Sequence, residues 1–105
     1  MTQPVNNALR LNEADNVAVV LQDIKVDEAI RIADVVEPVI ALKAIPYGHK
    51  IAIRAIAKNE RIIKYGECMG IATDDIALGD HAHVHNIRGL ELEEHLAIRR
   101  AALNR

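Results

Sequence analysis

The feature that most constrains this chain is a short motif written more than once along it. Ile24-Lys25-Val26-Asp27-Glu28-Ala29-Ile30 aligns with Ile56-Ala57-Lys58-Asn59-Glu60-Arg61-Ile62, and more loosely with Ile76-Ala77-Leu78-Gly79-Asp80-His81-Ala82. Each copy sets an aliphatic residue, then Asp, Asn or Gly three positions on, then an acid, then an apolar residue. Asp, Asn and Gly are the residue types that tolerate a left-handed backbone. Each copy therefore reads as strand end, tight turn, next strand. The acids Glu28, Glu60 and Asp80 are then either solvated turn residues or an acidic ligand set.

Short strands fit the rest of the pattern. Val17 to Leu21 and Ile51 to Ile56 are β-branched runs bounded by polar turns. Val39 to Ile45, Arg61 to Tyr65, Gly70 to Thr73 and His81 to Ile87 are further candidates, separated by Pro46-Tyr47-Gly48, Lys58-Asn59, Gly66-Glu67 and Leu78-Gly79-Asp80. From Leu90 to Leu103 the sequence changes to helix formers, with Glu early and Arg late, and Leu92, Leu96, Arg99 and Leu103 share one stripe. The expected organisation is a mainly β domain over residues 1–88 and a helical tail over 89–105. The helix is expected to pack on its own sheet rather than on a partner.

Composition narrows the function. The chain has 105 residues, 50% of them hydrophobic but only 2% aromatic, so one modest core must be built from Ile, Val, Leu and Ala. Scarce aromatics and a net charge of −2 argue against nucleic acid as a partner. No basic leader with an apolar run opens the sequence and no stretch has membrane-spanning length, so a cytoplasmic protein that does not enter a membrane is expected. The single cysteine, Cys68, suits a reducing compartment. Serine is absent, which excludes a serine nucleophile, and Cys68 has no adjacent histidine to activate it.

The remaining polar chemistry lies in two places. Gly48-His49-Lys50 enters one strand, with Lys64-Tyr65-Gly66 closing another, and His81 to Asn86 holds three alternating histidines. Lysine neutralises a carboxylate, and histidine exchanges a proton near neutral pH. Lys50 and Lys64 are thus a carboxylate clamp or solvated strand lysines, and His49 is an acid/base group or a turn-stabilising hydrogen bonder. His83 and His85 could hold a metal of the Fe, Mn or Zn type, or contact substrate, or form a solvated ladder. His81 fits a turn exit.

Taken in order, Gly48-His49-Lys50-Ile51-Ala52, Ile56-Ala57-Lys58, Ile63-Lys64-Tyr65-Gly66, Met69-Gly70-Ile71-Ala72 and His83-Val84-His85-Asn86 form a linked set. This set resembles the small SAF-type domain of the altronate and galactarate dehydratases, also found as the small subunit of sulfolactate sulfo-lyase. The resemblance runs from Asp15-Asn16-Val17 to about Asn86. It departs at Asn59, where the family commonly has glycine, and at Gly89, where it often has threonine.

The resemblance implies a β-clip fold and a metal-dependent lyase acting by β-elimination on a sugar acid or related 2-hydroxy acid. On that reading the chain is a small subunit, inactive without a large dehydratase-like subunit, and able to form homo-oligomers. His83 and His85 are the expected ligands of a divalent metal, Fe2+ or Mn2+. His49 is the expected acid/base, Lys50 or Lys64 the carboxylate clamp, and Asn86 the residue that orients a substrate hydroxyl. The alternatives are a sulfo-lyase small subunit and a non-catalytic carbohydrate-binding or subunit-docking module.

Overall fold

The computed structural model describes residues 6–103; the first five residues of the expected 1–88 domain and the last two of the tail lie outside them. Nine short strands precede one helix: β1 (Ala8–Leu9), β2 (Val17–Val20), β3 (Ala29–Ile30), β4 (Val39–Ile40), β5 (Lys50–Ala52), β6 (Arg61–Lys64), β7 (Glu67–Ala72), β8 (His81–Ala82), β9 (Ile87–Arg88) and α1 (Leu92–Leu103). They form a sheet in the order β1-β2-β5-β8, a β3-β4 ribbon and a β6-β7-β9 sheet. The chain is mainly β with a short C-terminal helix, as the turn-rich sequence predicts.

The repeated motif is the building unit of this fold, and the structure adds a fourth copy. Asp27, Gly48, Asn59 and Gly79 all have positive φ. Each donates its N–H to a neighbouring strand or loop: Asp27 to Ala41 O at 2.8 Å, Gly48 to Val20 O at 3.0 Å, Asn59 to Ala72 O at 2.8 Å and Gly79 to Ala52 O at 2.8 Å. The residue after each closes the turn onto the carbonyl three back, as in His49 N to Pro46 O at 3.0 Å. The leading isoleucines then pair in antiparallel bridges, Ile24 with Ile45 and Ile56 with Ile76. Ile45-Pro46-Tyr47-Gly48-His49 is thus a turn module like the other three, with histidine in the place of the acid.

Burial follows the strand alternation. Ala18 and Val20 of β2 and Ile51 of β5 face one aliphatic cluster with Ile24, Ile30 and Ile45. Val17 and Ala52 face a second cluster with Ile56, Ile62 and Ile76. The β2-β5 pair is therefore buried on both sides, and a turn module seals each cluster. Each buried isoleucine contributes about 1.5–3 kcal/mol by leaving water.

Two buried polar residues join the halves. The fully buried Asp15 carboxylate accepts N–H groups from Leu11 and Asn12, at 3.3 Å each, and from Gly66 at 2.8 Å. The Asn16 amide donates to Arg61 O and accepts from Ile63 N, both at 2.8 Å. Together they fix the β6-β7 turn, and with it Lys64, against the start of β2.

Two expectations change. The run from His81 to Ile87 is not one strand: β8 ends at Ala82 and residues 83–86 form a turn. Hydrogen bonds from the Asn86 side chain to that backbone draw it out of the sheet. The helix, expected to pack on its own sheet, lies alongside the β6-β7 hairpin but buries no residue of α1 there. It is tied back by Arg88, which donates to both carboxylate oxygens of Glu94 at 2.7 and 3.0 Å. No described helix is long and apolar enough to cross a membrane.

The turns differ in how tightly they are enclosed. A Cβ at Gly79 would collide with the Ile40 carbonyl oxygen, whereas one at Gly48 meets nothing within 4 Å. Gly48→Ala should cost only the left-handed strain, about 1–2 kcal/mol. Gly79→Ala adds a backbone clash and should cost roughly twice that or more. Urea unfolding of both variants measures the difference, and equal losses would refute the enclosure of the Gly79 turn.

Candidate functional site

Extending the β5-β8 register explains how the histidines meet. Lys50 pairs with Ala82 and Ile51 with His81, so the next pair outward is His49 opposite His83. Their rings stack at 3.9 Å between centroids. His81 completes the group, 5.1 Å from His49 and 5.4 Å from His83 by ring centroids. His49 Nδ1 and His81 Nε2 share a hydrogen bond of 2.9 Å. One nitrogen from each of His49, His81 and His83 lies within 4.8 Å of the others, and all three residues are half-buried.

The local sequence allows this at each position. In two sister modules the acid caps the turn: Glu28 accepts Lys25 N at 3.0 Å and Glu60 accepts Ala57 N at 3.1 Å. The corresponding residue before His49 is Pro46, which has no N–H to cap. Position 49 is thereby released from turn duty and can carry an imidazole. On the facing segment, Asn86 accepts His83 N at 2.8 Å and donates to His81 O at 2.9 Å, clasping the backbone that carries both histidines.

The site residues named from sequence are partly regrouped. His49 and His83 lie in the cluster together with His81, which the sequence placed at a turn exit. His85 is exposed and only flanks His81, at 5.3 Å and tilted by 47°. Asn86 is buried with both ends of its amide engaged by backbone, so its observed contacts hold the histidines in place. No spacing singles out His81, because its meeting with His49 follows from the β5-β8 register.

The electrostatics favour neutral imidazoles. Burial above all, then His49, His85 and His83, pushes the His81 imidazole down to about 4, with Asp80 pulling the other way. Burial, followed by His49, Lys50 and His85, lowers His83 as well. His83 Nδ1 is buried without a hydrogen-bond partner among the described residues. Lys50, half-buried in β5, is lowered by burial and by the nearby Lys64. A divalent cation fits this donor set: three imidazoles converge, one of them with an unused buried nitrogen, and imidazole suits Fe, Zn and similar ions. A carboxylate fits the two lysines.

Because the folded state holds His81 neutral from its ordinary value of 6.5 down to about 4, the unfolded chain binds the extra proton in that window. Stability then rises with pH there, so it should be full above about pH 6.5 and decline on acidification toward pH 4. Denaturant melts across this range should show the slope, and His81→Ala should flatten it. An NMR titration with His81 near 6.5 would contradict the site's geometry.

Known proteins resemble this chain over most of its length. Residues 6–90 match the family described as the altronate/galactarate dehydratase SAF domain. The altronate dehydratase of Bacillus subtilis is 38% identical over 80 residues, which is 76% of this chain and 16% of that enzyme. The alpha subunit of (2R)-sulfolactate sulfo-lyase from Chromohalobacter salexigens is 49% identical over 45 residues, 43% of this chain and 48% of that subunit. The galactarate dehydratase (L-threo-forming) of Escherichia coli is 35% identical over 71 residues, 68% of this chain and 13% of that enzyme. The chain thus spans about a sixth of the altronate dehydratase it matches. With turn modules, lysines and histidine segment all inside the matched residues, the chain belongs to the family of altronate/galactarate dehydratase SAF domains.

Proposed function

We propose that this chain is the small subunit of a metal-dependent lyase that removes water from a sugar acid such as altronate, giving a 2-keto-3-deoxy acid. It works with a separate large subunit, which brings the rest of the active site. The observation that carries this reading is the convergence of His49, His81 and His83 beside Lys50 in a chain of a dehydratase family.

His49, His81 and His83 would hold the divalent ion, Fe2+ or Mn2+. When bound, such an ion supplies Lewis-acid polarisation of the carboxylate and 2-hydroxyl oxygens. Lys50 and Lys64 attract the substrate carboxylate, which in turn relieves the repulsion between them. In the elimination a base takes the proton from the carbon next to the carboxylate. The 3-hydroxyl leaves with a proton as water, and the resulting enol becomes the keto acid. His49 was the acid/base expected from sequence; within the ligand group it is no longer free for that work. His85, exposed beside His81, is the imidazole next to the cluster that would carry a proton at its rim.

The sulfo-lyase reading keeps the same site and changes the leaving group to sulfite. What favours it is the 49% identity to an alpha subunit that is itself short, since 45 residues make up 48% of it.

Calorimetric titration of the full chain with Mn2+ tests the ligand set. His49→Ala, His81→Ala and His83→Ala should each weaken binding about tenfold or more, and His85→Ala should leave it nearly unchanged. Strong loss in His85→Ala with none in His81→Ala would return the ligand set to His83 and His85.

The chain alone should turn over no 2-hydroxy acid. Co-expressed with its large subunit, it should convert altronate, galactarate or sulfolactate to a keto acid, and Lys50→Ala should raise KM more than it lowers kcat. Full activity of the large subunit without this chain would leave it a non-catalytic docking module.

A further inference from the structure

The helix α1 has two different sides. Glu94 and Ile98 are its half-buried residues; Arg88 holds Glu94, and Ile98 with Ala101 and Ala102 faces Arg61, Gly66, Glu67 and Cys68 of the β6-β7 hairpin. The opposite side carries Leu92, Leu96 and Leu103, exposed by 72%, 41% and 82%. With Arg99 they stand at successive intervals of four, three and four residues. That is the spacing of alternating d and a positions in a helix-pairing seam.

We infer that this seam pairs with the same helix of a second copy of the chain, antiparallel, across a two-fold axis. The charges choose both the occupant and the direction. Glu93 and Arg100 occupy the same flanking e position one heptad apart, and neither forms an ion pair among the described residues. An antiparallel pair sets e against e, so Glu93 of each copy meets Arg100 of the other, twice by symmetry. Leu92 then lies near the partner copy's Leu103, and the stem of Arg99 covers the partner copy's Leu96. A parallel pair would set Arg99 against its own copy in the seam, which like charge opposes. The inference does not depend on the histidine cluster or on the lyase reading.

A twelve-residue helix buries little area, so the pair is weak and depends on concentration. Sedimentation equilibrium of the full chain should show a monomer passing to a dimer at high micromolar concentration. Leu96→Glu should leave it monomeric with an unchanged β circular dichroism signal. Glu93→Arg should weaken the dimer, and Glu93→Arg combined with Arg100→Glu should restore it. Arg99→Leu removes the flaw in the seam and should tighten dimerisation by about tenfold. A monomer at every concentration overturns the inference, including the case in which seam variants disturb only the association with a large subunit. So does a dimer indifferent to Leu96→Glu, or one that the double charge exchange fails to restore.

Discussion

The structure depends on one hydrogen bond repeated in sequence: a left-handed residue donates its N–H to a carbonyl of a neighbouring strand or loop. Asp27, Gly48, Asn59 and Gly79 make it over 2.8 to 3.0 Å. Each bond turns the chain and at the same time docks that turn against another part of the molecule. With strands of only two to six residues, no ladder is long enough to define register by itself. The turns define it instead, and the isoleucine bridges seal the two aliphatic clusters behind them. Asn59 fills a position where glycine is common in the family and takes φ 73 without altering this bond.

Much of this architecture was legible. Three copies of the aliphatic-turn-acid pattern stand in the sequence, and they predict short strands and tight turns where the structure has them. The fourth copy was hidden because Pro46, Tyr47 and His49 replace the residues that make the others recognisable. The grouping of the histidines was hidden for a related reason. Histidines at 81, 83 and 85 have the period of a strand, and period alone places all three on one face. Asn86 breaks that geometry with two side-chain bonds to the backbone, and those depend on its being buried against the turn, which no spacing rule reveals. The result stacks His83 on His49 beside His81 and leaves His85 exposed and tilted at the rim, 5.3 Å from His81. The pairing of His49 with this segment is a tertiary register, fixed only once β5 and β8 meet.

The same modules sort charge. The chain carries a net charge of −2, yet His49, His81 and His83 gather where β5 meets β8, with Lys50 close enough to act on His83. The acids of the other modules are engaged by their own turns: Glu28 and Glu60 cap backbone N–H groups, and Asp80 accepts His81 N at 2.8 Å while pairing with Lys43 at 3.2 Å. Turn capping engages Glu28 and Glu60 in their own modules, and Asp80 is the acid that still acts on the cluster, at His81. Crowded imidazoles beside a lysine repel further protonation, which leaves lone pairs available to a cation and the lysines available to an anion.

The backbone that carries the histidines is held by bonds at positions 48, 49, 83 and 86, and their rings then stack on one another. A fold built this way can exchange side chains at its turn exits without disturbing either aliphatic cluster. Glutamate at one exit caps the turn; histidine at the equivalent exit, behind a proline, leaves the turn intact and faces outward to the neighbouring strand. The difference between an acid-capped turn and a histidine-bearing one then lies in Pro46 and His49, on an otherwise shared backbone. The proline leaves no N–H at position 46 for the residue at 49 to cap, so the imidazole there displaces no turn bond.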